Sequence, residues 1–182
     1  MFEAILLTII TASTPLVIAA MGELVAERSG VLNLGVEGMM IIGAVCAFIA
    51  TNMTGSPYIG VLAGIATGAL FSLLFGFLTL TLVANQVATG LALTILGLGV
   101  SGMVGESVVG VPGVKMQPIV IPILSDIPVI GPILFAQDLF FYLSILLVAG
   151  VNWYLFKSRS GLKLRAIGDS HGSAHTLGLP VI

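Results

Sequence analysis

The stretch Tyr58–Val83, YIGVLAGIATGALFSLLFGFLTLTLV, contains no charged residue and decides the class of fold. About 20 helical residues cross the roughly 30 Å hydrocarbon core of a bilayer, so this stretch is long enough to span it. It is apolar on every side, whereas a membrane β-strand alternates apolar and polar residues over about ten positions. A helix also satisfies its own backbone hydrogen bonds in lipid. The stretch therefore predicts a transmembrane helix.

The composition of the whole chain agrees with a membrane protein. Of its 182 residues, 58% are hydrophobic and only 8% are charged, and the mean hydropathy is +1.19. A soluble domain devotes about a quarter of its residues to charge, so these few charges could not cover a water-facing surface. The net charge of -2 gives no basic footprint for nucleic acid. The single cysteine, Cys46, lies in an apolar run and cannot form a disulfide within the chain.

Further apolar runs predict an all-α, polytopic helix bundle with about five spans, forming one transmembrane domain over residues 1–182. The predicted spans cover residues 4–21, 31–50, 58–83, 87–104 and 139–156, and a long loop covers 105–138. The first run follows Glu3 and has no basic residue before it, so we expect a retained span rather than a cleaved signal peptide.

Basic residues orient these spans. The fifth span is followed by Lys157, Arg159, Lys163 and Arg165. The positive-inside rule places them in the cytoplasm. Counting back through alternating spans puts loop 105–138 outside and the link that holds Glu27 and Arg28 inside. These two residues are expected to anchor a helix end or to contact a cytoplasmic partner.

Small residues predict close helix packing. The third span carries Gly60, Gly64, Gly68, Ser72 and Gly76 at every fourth position, and the fourth carries Gly97, Ser101 and Gly105. Such stripes let helix backbones approach closely in lipid.

The outer loop contains five prolines, which oppose a long helix. They are Pro112, Pro118, Pro122, Pro128 and Pro132. The segment 119–135 is nevertheless mostly apolar. Irregular backbone at membrane depth must be covered by protein. Both a docking or gating surface and plain loop packing are open interpretations of this segment.

A polar pair near the start of the second span is the candidate solute path. Asn33 and Glu37 are four residues apart and would share one face of a helix. Glu37 would lie about 12 Å into the membrane if helical rise continued from Ser29. A carboxylate within a span usually faces a cavity or the bundle interior. A translocation path and a structural hydrogen-bond pair are both compatible with this pattern.

Other motifs carry less chemistry. The link Ala84-Asn85-Gln86 is typical of capping residues at a tight turn. Gly99-Val100-Ser101-Gly102 fits a rhomboid-type serine motif, but both histidines, His171 and His175, lie in the basic tail. The two histidines are four residues apart, a spacing that could suit a metal ion. However, the zinc-protease motif has a glutamate directly after its first histidine, and no glutamate follows His171 here. No phosphate-binding loop occurs in the sequence. We expect no enzyme activity, metal or cofactor in this chain.

The tail after the fifth span, residues 157–182, predicts a short cytoplasmic helix. Residues 173–177 would form it, with Asp169 or Ser170 as the N-cap. Gly178 and Pro180 would end it. A cytoplasmic helix at this place would let a membrane protein contact a partner in the cytoplasm.

Several blocks of the sequence resemble the permeases of bacterial ATP-binding-cassette (ABC) importers for branched-chain amino acids, simple sugars and nucleosides. The similarity is closest to the nucleoside and simple-sugar branch. The blocks are Thr14–Gly22, Glu27–Met40, Ala84–Leu93, Ile121–Pro132 and Gly161–Gly168. Where family members usually continue with Asn-Pro-Glu, this chain has Ser170-His171-Gly172. The family carries further spans, so the resemblance also implies that this chain is the front part of a permease.

The resemblance implies a multi-pass protein of the bacterial inner membrane that imports nucleosides or simple sugars. Its partners would be a cytoplasmic ATPase, which holds the ATP, a second permease subunit and an extracytoplasmic solute-binding protein. The segment 165–179 resembles the helix that docks on the ATPase, so Glu27, Arg28, Arg165, Gly168 and Asp169 are expected at that interface. The alternatives are an ion-coupled secondary transporter, which would show inverted repeats, and a membrane scaffold subunit.

Overall fold

The structure is a computed structural model that describes residues 2–114, 116–119, 131–176 and 178, without the side chains of Phe2 and Pro132. Its helices are α1 (Phe2–Arg28), α2 (Val36–Thr54), α3 (Pro57–Gly76), α4 (Gln86–Gly105), α5 (Leu139–Lys157), α6 (Arg159–Asp169) and α7 (His171–Thr176). π-helical turns occur at Phe77–Thr81 and Gly131–Phe135, and a 3-10 turn at Glu106–Val108. These described ranges contain no strand. The predicted all-α class is confirmed.

Within the described residues, five helices are long and apolar enough to cross a membrane, as the sequence predicted. Two of the predicted boundaries are wrong. The first helix continues through Pro15 to Arg28, so most of the predicted polar link is helical. The second helix begins at Val36, five residues later than predicted, because the backbone from Val31 to Gly35 is not helical.

Local chemistry sets several helix ends. Asn85, Asp138 and Ser158 each use a side-chain oxygen to accept a backbone N–H in the first turn of the helix that follows. Such N-caps satisfy amides that have no partner within the helix. Gly55 ends α2 in the left-handed conformation, with φ +69°. The predicted capping role of Asn85 is therefore confirmed.

The chain divides into two compact units. One comprises residues 1–31 and 116–182, and the other comprises residues 32–115. In the first unit, α1 packs against α5, α6 and the π-helical turn at Gly131–Phe135, and α6 packs against α5 and α7. In the second unit, α2 packs against both α3 and α4.

The end of α3 is irregular. Its last turn widens into the π-helical turn Phe77–Thr81, in which Thr79 is buried and donates its hydroxyl to the carbonyl of Phe75 at 2.8 Å. Two residues later Val83 has φ +52° and an 81% exposed side chain. A positive φ is rare for a β-branched residue and marks a strained backbone. A strained link therefore connects α3 to α4.

Some glycines of the predicted stripes make close helix contacts and others do not. On α4, a β-carbon added at Gly97 would lie 2.6 Å from the Cα of Gly38, so these two helices touch backbone to backbone. On α3, Gly60 and Gly64 pack against α2. Gly68 and Gly76 have no neighbour within 4 Å of an added β-carbon in the described residues. The predicted packing stripe on the third span is therefore confirmed only for its first half.

The apolar outer segment can be assessed at its ends alone. Residues 120–130 lie outside the described residues. Ile119 donates its N–H to the carbonyl of Gln137 at 2.9 Å, and the turn Gly131–Phe135 packs against α1. The end of the segment thus packs on a helix of its own unit. Whether the segment serves docking or gating stays a prediction.

Candidate functional site

The non-helical segment before α2 is held along α4 by two hydrogen bonds. The N–H of Leu32 donates to Oε1 of Gln86 at 2.8 Å. The hydroxyl of Thr94 donates to the carbonyl of Leu34 at 2.9 Å. A β-carbon at Gly90 would lie 2.8 Å from the backbone nitrogen of Leu34, so only glycine allows this approach. The backbone groups that leave the helical pattern therefore find partners on a neighbouring helix, as irregular backbone in lipid requires.

Asn33 lies within this segment and forms a local turn. Its Oδ1 accepts the N–H of Gly35 at 2.9 Å, which fixes the backbone just before the helix. Its Nδ2 lies 3.7 Å from the sulfur of Met39. Side chains of this type commonly bond to backbone two residues on and compete with helix formation. The asparagine thus helps to delay the start of α2.

Glu37 lies in the first turn of α2 with an exposed side chain. The expectation that Asn33 and Glu37 share a helix face is wrong, because Asn33 precedes the helix. The continuous helical rise after Ser29, from which the depth of Glu37 was inferred, does not occur, and the depth itself stays a prediction. The two polar residues remain neighbours in sequence at one end of α2.

Gln86 and Thr94 are functional candidates that the sequence pattern did not single out. Gln86 was expected only to help cap a turn, yet its side chain binds backbone 54 positions earlier in the chain. Thr94 is spaced four residues after Gly90 and three before Gly97, so it continues the small-residue stripe of α4. This spacing is the one feature of the sequence that could have identified Thr94 as a contact residue.

A second cluster lies in the other unit, where the end of α1 meets the end of α6. A β-carbon at Gly168 would collide with the carbonyl oxygen of Arg28 and would lie 2.9 Å from the nitrogen of Gly30. Gly30 has φ +88° and lies close to the ring of His171. The structure therefore brings Arg28 and Gly168 together, and their contact with an ATPase stays a prediction. Glu27 lies beside them in the last turn of α1, with an exposed side chain.

Arg165 is positioned differently from its predicted interface partners. Its guanidinium lies over the ring of Phe156, with the central carbon 4.9 Å from the ring centroid. Its Nε is buried and has no hydrogen-bond partner in the described residues. Such a cation–π contact stabilises by about 0.5–1 kcal/mol at exposed sites and more when desolvated. Arg165 thus fastens α6 to the end of α5.

Asp169 and α7 provide the exposed part of this cluster. Asp169, His171 and His175 are all exposed, whereas Ala174 is buried. Ser170 accepts the N–H of Ser173 at 3.3 Å and so caps α7, as predicted. The helix spans His171–Thr176, two residues earlier at its start than the sequence suggested. The longer helix before it, α6, was not predicted.

A cleft of about 280 Å³ lies between α1 and α5 in the first unit. Its lining includes the hydroxyls of Ser13, Thr14 and Ser144 among apolar side chains. Each hydroxyl donates to a carbonyl of its own helix, at 2.7–3.1 Å. Their remaining lone pairs are free to accept one more hydrogen bond. Elsewhere, the described residues contain no group of three or more His, Cys, Asp or Glu side chains suited to a metal ion.

Comparison with known proteins places this geometry in context. The chain is 41% identical over 177 residues to a protein of Haloferax volcanii named as a putative glucose ABC transporter permease. It is 36% identical over 183 residues to a Bacillus subtilis guanosine ABC transporter permease. It is 34% identical over 180 residues to a Lactococcus lactis nucleoside ABC transporter permease.

These alignments cover 93–94% of the chain but only 54–57% of the relatives, so the chain spans about half of their length. No solved structure matches it. Residues 5–182 match the family model described as the permease component of branched-chain amino acid transport systems. The chain is a multi-pass integral membrane protein that belongs to this permease family.

Proposed function

We propose that the chain is the membrane-spanning permease subunit of an ATP-driven ABC importer for a small polar solute, a nucleoside or a simple sugar. The observation that carries this proposal is the family match over residues 5–182 on a chain with five candidate membrane spans. The names of the relatives support the solute classes. ATP hydrolysis belongs to a cytoplasmic partner, and a second permease subunit and a solute-binding protein complete the importer.

The surface formed by Asp169 and the exposed side of α7 is the proposed contact to the ATPase. It is exposed, and the sequence places it on the cytoplasmic side. Gly168 ties this surface to Arg28 and Gly30, so a movement imposed on α7 reaches the end of a membrane helix through a close backbone contact. Arg165 supports the surface from within, because its guanidinium is held on Phe156.

The variant Gly168→Ala tests this coupling route. The added methyl group would push α6 away from the end of α1, at a cost of about 1–3 kcal/mol. We expect weaker retention of the ATPase in pull-downs and a loss of ATP-driven uptake. Gly150→Ala in α5 is the matched control, because its methyl group would meet no atom within 4 Å. Normal coupling in Gly168→Ala would contradict the route.

Glu37 is the proposed polar group of the translocation path. It is exposed on α2 beside the segment that Thr94 and Gln86 hold in place. An ionisable side chain in a membrane segment is rare and usually serves transport or faces a cavity. We expect Glu37→Gln to lower uptake while the subunits still assemble. The control Glu106→Gln removes an exposed carboxylate after α4 and should leave uptake intact.

The proposal as a whole is tested in proteoliposomes that contain the protein, its ATPase and its binding protein. Uptake of labelled guanosine or glucose should require ATP and the ATPase. Uptake that follows a proton gradient and persists without the ATPase would instead indicate an ion-coupled secondary transporter. Assembly without any uptake of either solute class would favour a scaffold subunit.

A further inference from the structure

Positive charge is concentrated where α5 ends and α6 begins. Of the six Lys and Arg residues of the chain, four lie between Lys157 and Arg165. No Asp or Glu occurs from Leu139 to Gly168, and the nearest carboxylate that follows is Asp169, four residues after Arg165. Within the described part of the chain these four cations form no ion pair.

A tight turn fixes the direction in which α6 leaves α5. The hydroxyl of Ser158 donates to the carbonyl of Tyr154 at 2.6 Å and accepts the N–H of Gly161 at 2.9 Å. A β-carbon at Gly161 would lie 2.8 Å from the Cα of Leu155 and would collide with the Tyr154 carbonyl. The first turn of α6 is therefore packed against the last turn of α5.

This packing gives α6 two different faces. Gly161 and Gly168, seven residues apart, lie on the face turned toward the rest of the unit. The other face carries Arg159 and Lys163, four residues apart and both exposed, with Leu162 beside them at 61% exposure. Residues four apart are neighbours on a helix surface. Two cations and one large apolar side chain thus form an exposed patch.

The adjoining end of α5 is aromatic and equally exposed. Trp153 is 64% exposed and Phe156 is 50% exposed. Tryptophan is enriched at membrane–water interfaces, where its ring lies at the level of the headgroups. A basic face with apolar and aromatic neighbours is typical of a helix that lies in this interface.

We propose that the patch formed by Arg159, Leu162 and Lys163, together with Lys157, binds the headgroup of an anionic phospholipid. The cations meet the phosphate, and Leu162 meets the upper part of the acyl chains. An acidic protein surface would match the charges alone, whereas a lipid matches the charges, Leu162 and the aromatic end of α5 together. The site is separate from the proposed ATPase contact on Asp169 and α7.

Trp153 gives a direct assay, since it is the only tryptophan of the chain. The protein is placed in nanodiscs of phosphatidylcholine that contain a fixed fraction of brominated phosphatidylglycerol or, in parallel, the same fraction of brominated phosphatidylcholine. Bromine quenches tryptophan fluorescence at short range. We expect stronger quenching by the anionic lipid, and the difference should shrink as salt screens the charges.

Substitutions separate a specific site from bulk lipid. Arg159→Gln with Lys163→Gln should lower the preference for the anionic lipid by about fivefold for each cation removed. Arg159→Lys with Lys163→Arg should keep it. Lys115→Gln, which removes one positive charge from the loop predicted to lie outside, should leave it unchanged.

Two results would overturn the proposal. One is equal quenching by the two brominated lipids in the unchanged protein. The other is a double glutamine variant that keeps its lipid preference but no longer retains the ATPase, because the patch would then be a protein contact.

Discussion

The contact between α2 and α4 and the contact between α1 and α5 use similar small residues in opposite ways. In the first, Gly38 and Gly97 bring two backbones together and Thr94 adds a hydrogen bond to the carbonyl of Leu34. In the second, Thr14 and Ser144 are buried, yet they line a cleft of about 280 Å³ rather than a close contact.

The difference shows that small residues alone do not determine how helices pack in lipid. Without a hydrophobic effect between helices and lipid, association depends on van der Waals contact and on hydrogen bonds between helices. The α2–α4 contact has close backbone packing, and Thr94 of α4 adds a hydrogen bond to Leu34 in the non-helical segment just before α2. The hydroxyls at the α1–α5 contact bond to their own helices, which leaves space between the two helices. The first contact should therefore be rigid and intolerant of added volume, and the second tolerant.

The largest effect is expected for Gly38→Leu. A β-carbon at Gly38 already lies 2.6 Å from the carbonyl oxygen of Leu93, which is backbone and cannot rotate away. We expect a loss of more than about 3 kcal/mol and little folded protein. Gly99→Leu is the control, because a β-carbon at Gly99 on α4 would meet no atom of the described residues within 4 Å. Thermal unfolding in detergent measures the stability of both variants. Equal melting temperatures would contradict the prediction that the α2–α4 contact does not tolerate added volume.

A smaller loss of stability is expected when valine replaces one of two serines in similar surroundings. Ser101 on α4 and Ser144 on α5 are 6% and 5% exposed, and each donates its hydroxyl to the carbonyl three residues earlier. Valine at position 101 should destabilise by about 1–3 kcal/mol, because the close contact has no room for it. Valine at 144 should cost little, because it projects into the cleft. The reversed order of melting temperatures would contradict the comparison.

The smallest effect is expected for Thr94→Val. This change removes the hydroxyl that reaches Leu34 and keeps the side-chain shape. Hydrogen bonds between membrane helices contribute about 0.6 kcal/mol on average, so the melting temperature should fall slightly. Thr67→Val is the control, since among the described residues the Thr67 hydroxyl donates to the carbonyl of Ala63 on its own helix. An equal fall in melting temperature for both variants would mean that the hydrogen bond to Leu34 stabilises no more than a bond within one helix.

The sequence predicted the fold well because membrane helices depend on long apolar runs. Those runs are read directly from residues such as Tyr58–Val83, and the five spans follow. The boundary between α1 and α2 was missed because Leu32 and Leu34 are apolar and look helical. Their non-helical backbone depends on partners at Gln86 and Thr94, which lie more than fifty residues away.

The candidate site was predictable only in part for the same reason. Arg28 and Gly168 were both expected to contact an ATPase, which stays a prediction, and the structure shows in addition that they contact each other. The role of Arg165 could not be foreseen, because its contact with Phe156 depends on the turn at Ser158. The helix α6 was missed because Gly161 and Gly168 suggest a loop, whereas in the structure they allow close packing.

The strained link at Val83 has a consequence for helix register. A π-helical turn accommodates one extra residue within an α-helix. Changing the turn Phe77–Thr81 to a regular α-helix would rotate the residues that directly follow it, such as Leu82, by about 100° around the axis of α3. Residues held in backbone conformations such as that of Val83 store about 1–3 kcal/mol. The extra residue of the π-helical turn therefore sets the direction in which the chain leaves α3 for the strained link, before the separate helix α4 begins at Gln86.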